Sequence, residues 1–137
     1  MIRIEIDTHT HTSASTHAYS TLWENAAWAK RIGLKGICMT NHGPSLPDAP
    51  HLWHFNSLYN LPEQIDGIRL VPGIESNVLD ADGNLDLPVD RCRKSIQLVL
   101  AGIHFPVYQP ADTQTHTRTW LSVAKNPYVD IIAHCGA

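Results

Sequence analysis

The sequence predicts an α/β fold with a parallel sheet, and three features of the chain support that prediction. Five short apolar or alternating segments are separated mostly by segments with helical character. One of them, residues 96–103, is almost continuously apolar, as expected of a parallel strand covered on both faces. A histidine or glutamate stands at or just beyond the end of each segment. Because the carboxyl ends of parallel strands meet on one face, where α/β active sites lie, one site is expected there.

The first strand introduces a possible metal chelate. Residues 2–7 alternate between apolar and polar side chains, so Asp7, His9 and His11 are predicted to share one face. For an isolated His-x-His pair, a solvated strand end is the simpler interpretation, and only the rest of the chain favours metal binding. Asp7 is predicted to orient a ligating imidazole, the alternative being a strand-end charge that faces water.

A helix follows the first strand. Residues 21–24 have the pattern of a capping box, and Gly33 suits the carboxyl-terminal cap. The apolar stripe of this helix is predicted to consist of Ala26, Ala29 and Ile32. Three tryptophans at helical positions are expected to contribute to packing: Trp23, Trp28 and Trp120.

The middle of the chain contains two predicted strands and a region of weaker signals. Residues 36–40 form a buried strand that ends at His42, and residues 69–74 form an extended segment that leads to Glu75. Between them, residues 45–55 are predicted to form a loop, and residues 56–65 a short helical piece interrupted by Pro62.

The last third begins with a predicted hairpin over residues 77–87, because the Asp-Gly pair at its tip supplies the positive φ angles of a tight turn. This hairpin is expected to decorate the fold. A strand over residues 96–103 ends at His104, and a strand over residues 129–133 ends at His134. A helix over residues 113–125 lies between them and is stopped by an Asn-Pro pair.

Length and composition narrow the class of protein. The 137 residues, 43% hydrophobic and 17% charged, suit one globular domain, taken as residues 1–137. With a formal net charge of -3 and no basic stripe, neither nucleic acid nor a membrane surface is an expected partner. The start of the chain lacks a secretory signal pattern and no long uncharged apolar window is present, so a cytoplasmic location is expected. Cys38, Cys92 and Cys135 show no CxxC spacing and are expected to be reduced thiols.

The candidate site residues are mostly histidines at strand ends. The proposed metal ligands are His9, His11, His17, His42, Glu75, His104 and His134. Imidazole and carboxylate together suit Zn²⁺, Mn²⁺ or Fe²⁺, and the lack of thiolate pairs favours a catalytic over a closed structural site. Seven ligands exceed the three that one catalytic zinc takes, so two or three ions are expected, with Glu75 as the bridging candidate. His54 is a weaker candidate for contact with substrate phosphate, a solvated loop histidine being the simpler interpretation, while His51 and His116 are expected at the surface.

These motifs resemble one known family. The order His9-Thr-His11, His17, Thr40-Asn41-His42-Gly43, Glu75 in Gly-Ile-Glu, His104 in Ala-Gly-Ile-His and finally His134 resembles the PHP (polymerase and histidinol phosphatase) family. The stretches at residues 15–20 and 48–55 resemble its small bacterial YcdX-type phosphatases. The resemblance covers the whole chain. Two positions differ from many members, which carry Asp in place of Asn41 and Pro in place of Cys135.

The resemblance implies a distorted (β/α)7 TIM-like barrel with a trinuclear centre that hydrolyses phosphoesters. Of that barrel the chain is expected to form the amino-terminal portion, about five β/α units plus the hairpin. By resemblance, His9, His11 and Glu75 hold the first ion, and Glu75 bridges to a second held by His104 and His134. His17 and His42 bind the third. The family's late Asp-x-His pair, which completes the first and third ions, is not in these 137 residues.

The expected reaction is hydrolysis of a small phosphomonoester by metal-activated hydroxide, with the third ion stabilising charge in the transition state. A homotrimer is a reasonable expectation for the full-length protein, by family resemblance. Two other interpretations remain: a metal-binding fragment with weak or no activity that needs a carboxyl-terminal half or partner chain, and an amidohydrolase-like enzyme acting on a C–N bond. The last is disfavoured because no lysine stands at a strand end.

Overall fold

Five parallel strands form a curled half-barrel sheet in the computed structural model, which describes residues 3–87 and 94–136. In chain order the strands are β1 (Ile6–Thr10), β2 (Gly36–Met39), β3 (Gln64–Ile65), β4 (Ile68–Asn77), β5 (Leu98–Gly102) and β6 (Ile131–Ile132). Their order across the sheet is β1-β2-β4-β5-β6, and the short β3 pairs antiparallel with β4. The predicted α/β fold is therefore confirmed, and its curled sheet is the one expected of an incomplete TIM-like barrel.

The long strand β4 joins the two parts of the sheet. Its first part, up to Pro72, pairs with β2, and its second part, from Gly73 onward, pairs with β5. A Cβ atom at Gly73 would lie 2.8 Å from Cγ2 of Thr40 and 2.9 Å from the Leu98 carbonyl oxygen. The point where β4 changes its pairing partner therefore leaves no room for a side chain. As a result, both neighbouring strands end beside Glu75.

Three α-helices and one 3-10 helix are described. They are α1 (Leu22–Arg31), α2 (Leu52–Asn56), the 3-10 helix (Leu58–Asn60) and α3 (Thr113–Val123). The capping box of α1 is present as predicted, since the Thr21 side chain accepts from the Glu24 backbone N–H and the Glu24 carboxylate accepts from the Thr21 backbone N–H. Gly33 follows the helix with φ of 83°, which a side chain disfavours.

Two sequence predictions about the middle segment are wrong. Helix α2 begins at Leu52, inside the region predicted as loop, because Nδ1 of His51 accepts a hydrogen bond from the Trp53 backbone N–H and caps the helix. The predicted helical piece over residues 56–65 is instead a single 3-10 turn followed by β3. Pro62 lies between these two elements and cannot donate a backbone hydrogen bond.

The main core lies between α1, α2, the 3-10 helix and the sheet, and it includes Phe55, Ile74 and Val99, each 0% exposed. A smaller cluster of Val78, Ala101 and Val123 packs beneath α3, with Trp120 against it as predicted. The predicted packing role of Trp23 and Trp28 is wrong, since both are exposed on α1, where Trp28 lies under the Arg31 guanidinium. Ile32 is also exposed, and Leu22 takes its place in the buried stripe with Ala26 and Ala29.

The hairpin is present as a single antiparallel bridge between Val78 and Leu85. Gly83 supplies the positive φ of 78° at its tip. The hairpin also supports the strand that carries Glu75, because Asp86 accepts hydrogen bonds from the end of β4.

Residues 88–93, including Cys92, lie outside the described residues, whereas Cys38 and Cys135 are free thiols. Burial raises the pKa of Cys38 to about 11. In the described parts of the chain, every helix is too short or too polar to cross a membrane.

Candidate metal centre

Glu75 is the centre of the histidine cluster. Its side chain is 0% exposed, and its two carboxylate oxygens face two different groups of imidazoles. Oε2 lies 3.1 Å from Nε2 of His9, 3.3 Å from Nε2 of His11 and 3.1 Å from Nδ1 of His42. Oε1 lies 3.3 Å from Nε2 of His104 and 2.7 Å from Nε2 of His134. Five of the six histidines singled out from the sequence therefore surround the one glutamate singled out with them.

The sheet register explains this convergence. His42 forms a parallel bridge with Glu75, and the Glu75 backbone N–H donates to the Asn41 carbonyl at 3.1 Å. On the other side, Glu75 pairs with Leu100 of β5, so His104 follows a few residues beyond on the same face of the barrel. Neighbouring strands that end together bring residues distant in sequence to one carboxylate.

The predicted orienting role of Asp7 is not what the structure shows. Its carboxylate accepts from the backbone N–H of His9 at 3.1 Å and not from an imidazole. Asp7 lines a groove against α1, away from Glu75. The physical reason is a register irregularity in β1 between Asp7 and Thr10, which breaks the simple alternation on which the prediction relied.

The sixth histidine, His17, contacts the cluster through His42, since their Nε2 atoms lie 3.2 Å apart. The other ring nitrogen of His17, Nδ1, is paired with the carboxylate of Asp48. Asp48 also accepts from the His17 backbone N–H, and the hydrogen bond from the ring lowers the pKa of Asp48 although its burial acts in the opposite direction. Sequence reasoning missed this role of Asp48, although the residue begins one of the stretches that carry the family resemblance.

The buried Asn41 and the half-buried His54 support the loop that carries His17. The side-chain oxygen Oδ1 of Asn41 accepts from the Thr12 backbone N–H at 2.8 Å and from Ser15 Oγ at 3.1 Å. Its amide nitrogen lies 3.2 Å from Nε2 of His54, and burial lowers the pKa of His54, which favours the neutral ring as the acceptor. An aspartate at position 41 could not donate this hydrogen bond. Among the described residues, His54 is not part of the cleft lining, so the structure favours a role in supporting Asn41 over contact with substrate.

Burial and neighbouring charges shift the pKa values of the cluster residues in different directions. Burial lowers the pKa of His42 to about 4 and also lowers the pKa of His11, so both rings are neutral at pH 7 and have a lone pair available for a cation. The Glu75 carboxylate beside its ring raises the pKa of His9. Burial alone would raise the pKa of Glu75, but its contacts with the imidazoles of His104, His9 and His42 hold it well below its usual range. The central carboxylate is therefore ionised.

The donor atoms fit divalent cations. Among the described residues, the buried side-chain atoms without a hydrogen-bond partner are His11 Nδ1, His42 Nδ1, Glu75 Oε2 and His104 Nε2, all in this cluster. Leaving such atoms unsatisfied costs about 1–3 kcal/mol each, which a bound cation removes. The Nε2 atoms of His9 and His11 are 3.0 Å apart. Two ligands of one tetrahedral zinc, each at about 2.0–2.1 Å, are separated by roughly 3.4 Å, so only small movements are needed.

His134 differs from the other members because it follows the short strand β6 and is exposed. Its φ of 31° lies in the left-handed region that histidine seldom adopts. In this conformation its Nε2 makes the 2.7 Å hydrogen bond to Glu75. Among the described residues, the groups of three side chains close enough to hold one metal ion are His9–His11–Glu75 and His42–Glu75–His104. Neither His134 nor the neighbouring exposed Cys135 is a member of them.

The cluster forms the floor of an open cleft of about 800 Å³. Its walls are largely apolar and are formed by Leu46, Pro47, Ile103, Phe105 and Pro106. A polar floor with convergent nitrogen and oxygen donors beneath apolar walls is the usual composition of a small-molecule site.

A parallel β/α half-barrel with a histidine and glutamate cluster at its strand ends is characteristic of metal-dependent hydrolases built on barrel folds. Comparison with known families matches residues 7–136 to the PHP domain, and the chain belongs to that family. It is 47% identical to a probable phosphatase of Thermoanaerobacter pseudethanolicus over 136 residues, which cover 98% of this chain and 55% of the relative.

Two further relatives are also named probable phosphatases. A probable phosphatase of Caldanaerobacter subterraneus is 45% identical over 136 residues, covering 98% of this chain and 53% of the relative. One of Shewanella putrefaciens is 47% identical over 135 residues, with coverage of 98% and 53%. The chain thus spans about half the length of the curated relatives it matches.

Proposed function

We propose that this chain carries the metal-binding floor of a phosphatase that hydrolyses small phosphomonoesters with divalent cations, Zn²⁺ in the first instance and Mn²⁺ or Fe²⁺ as alternatives. The family membership and the names of the relatives support a phosphoesterase. The observation that carries the proposal is the position of Glu75, a buried carboxylate with three imidazoles from two strand ends on Oε2 and two imidazoles from two further strand ends on Oε1. A carboxylate placed in this way is suited to bridge two cations.

The residues form two groups around Glu75 and a third group that connects to it through His42. One oxygen of Glu75 faces His9 and His11, the other faces His104 and His134, and His17 faces His42. These are the same groups that the family resemblance implies for three ions. His42 also lies 3.1 Å from Glu75 through Nδ1, so the third group is continuous with the first.

When bound, divalent cations supply positive charge that lowers the pKa of water and attracts phosphate oxygens. The chain supplies the rest of the arrangement. Glu75 contributes a fixed negative charge that neutralises part of the cationic charge, and the neutral rings of His11 and His42 contribute donors without adding charge. The cleft of about 800 Å³ can admit a phosphate together with a small organic group, which then lies against Pro47 and Phe105.

The test separates metal binding from turnover. The chain is purified, its metal content is measured, and hydrolysis of p-nitrophenyl phosphate is followed with added Zn²⁺, Mn²⁺ or Fe²⁺. Bound metal at two or three equivalents with turnover supports the proposal. Metal without turnover leaves only a metal-binding chain that needs further sequence or a partner for catalysis, and an absence of stoichiometric metal overturns the proposal. Sedimentation of the full-length protein tests the homotrimer, which we propose only for that protein.

A further inference from the structure

We infer that Asn77 and Asp86 act as positioning residues that fix the tautomer and the aim of the His104 ring. Neither residue contacts the cleft, and neither was among the candidates from the sequence. The inference rests on the proposed function only where it concerns metal affinity; the ring tautomer can be measured in the metal-free chain.

Asp86 acts only as a hydrogen-bond acceptor, because a carboxylate has no proton to donate. Its Oδ1 accepts from Ser76 Oγ at 2.7 Å and from the Asn77 backbone N–H at 2.9 Å. Its Oδ2 accepts from the Ser45 backbone N–H at 2.8 Å and from the Asn77 side-chain nitrogen at 2.6 Å. Two of these donors are backbone groups and cannot reverse their role, so this position requires an acceptor at both oxygens.

The orientation of the Asn77 amide follows from Asp86. Asn77 is 0% exposed, and its Nδ2 donates both to Asp86 Oδ2 and to the Gly43 carbonyl at 2.9 Å. Both partners are acceptors, so turning the amide over would place its oxygen against two other oxygens. The carbonyl Oδ1 of Asn77 must therefore face the opposite way, towards His104.

The tautomer of His104 follows from Asn77. Its Nδ1 lies 2.6 Å from Oδ1 of Asn77, which can only accept, so Nδ1 carries the proton. The other nitrogen, Nε2, then has a free lone pair, lies 3.3 Å from Glu75 Oε1 and is among the buried atoms without a hydrogen-bond partner. The network thus presents a lone pair where a cation can bind, as outer partners of ligating histidines do in metal sites.

The packing around Asp86 is consistent with a fixed carboxylate. A Cβ atom added to Gly43 would lie 2.5 Å from one oxygen of Asp86 and 2.7 Å from the other. Gly43 also donates its backbone N–H to the Glu75 carbonyl at 2.8 Å. The turn after His42 and the hairpin therefore meet at this carboxylate. Through Asn77, the carboxylate is connected to the His104 ring.

The test compares three variants by their histidine tautomers in the metal-free, 15N-labelled chain at a pH where His104 is neutral. The wild-type chain is expected to show His104 protonated at Nδ1. In Asp86→Asn the new amide nitrogen can donate to the Asn77 side chain, so only the Gly43 carbonyl still opposes turning the Asn77 amide over, and an Nε2-protonated population is expected. Asn77→Leu removes the acceptor and is expected to give the same loss. Asp80→Asn, in the same hairpin and with the same change of charge, is the matched control and is expected to keep the wild-type tautomer.

Zinc titration of the same proteins gives the second measurement. Asp86→Asn and Asn77→Leu are expected to bind Zn²⁺ about 10–100-fold more weakly than wild type, and Asp80→Asn equally well. A wild-type His104 protonated at Nε2, or a folded Asp86→Asn with unchanged tautomer and zinc affinity, overturns the inference. If Asp86→Asn does not fold, the wild-type and Asn77→Leu spectra still decide it. If the wild-type chain binds no zinc, the proposed function fails while the tautomer result stands by itself.

Discussion

The inner and outer parts of the histidine cluster are built differently. The inner part, Glu75 with His42 and His104, lies at the ends of β2, β4 and β5, where the ladder fixes the backbone and the side chains are almost buried. The outer part, His17 and His134, is carried by a loop and by the two-residue strand β6, and both rings are exposed. Strand register therefore fixes the inner donors, whereas the outer donors depend on individual side-chain contacts. Substitutions should accordingly be more costly inside than outside.

The largest effect is expected from Glu75→Gln. The change keeps the shape of the side chain but removes the buried charge that faces both groups of imidazoles, and removing one partner of a buried charge pair costs about 2–5 kcal/mol of binding free energy. Zinc affinity is therefore expected to fall by roughly 1,000-fold. Isothermal titration measures it, with the exposed Glu63→Gln as the control. Retention of affinity within tenfold would show that the inner carboxylate does not hold the cations.

The second effect concerns pH and tests the burial of His42. Its folded-state pKa of about 4 lies below the ordinary value of 6.5, so the unfolded chain binds more protons between these two values. Stability of the metal-free chain is therefore expected to fall as pH drops from 6.5 to 4, with a contribution of about 3 kcal/mol from His42.

Urea unfolding in the presence of a chelator measures this contribution. His9 has a raised pKa and acts with the opposite sign, adding stability below pH 6.5 that is lost as pH rises through its folded-state pKa. The difference between wild type and His42→Gln therefore isolates His42. Parallel pH curves for these two proteins would mean that His42 is not buried as a neutral ring.

An intermediate effect is expected from Gly102→Ala, which adds one methyl group beside the inner donors. The new Cβ would lie 2.7 Å from Cε1 of His104 and 2.9 Å from Oε1 of Glu75, so one of them must move. Because metal sites tolerate only small displacements of their ligands, zinc affinity is expected to fall by about tenfold. Gly136→Ala is the matched control, since nothing lies within 4 Å of its added Cβ. Equal affinities for the two variants would show that the His104 side of the cluster is loosely held.

The same division explains how much the sequence could predict. The parallel strands and the five histidines around Glu75 were predictable, because a polar residue at the end of an apolar run marks a strand end and such ends converge. Asp7 was misplaced because an irregular register in β1 leaves no trace in the alternation of its side chains. The supports provided by Asp48, Asn77 and Asp86 were not predictable from periodicity, since each depends on a contact between segments 9 to 31 residues apart.

The smallest effect is expected at the outer edge, from Asp48→Asn. The carboxylate pairs with Nδ1 of His17, whose side chain is 56% exposed, so solvent can partly replace the contact. Zinc affinity is expected to fall by only about two- to fivefold, less than for Gly102→Ala, because exposed ion pairs contribute about 0.2–1 kcal/mol. Asp82→Asn in the hairpin turn is the control for the change of charge, and competition with a chromogenic zinc chelator resolves differences of this size. A loss of 100-fold or more would contradict the division, because it would show that the exposed pair positions the metal as firmly as the buried donors do.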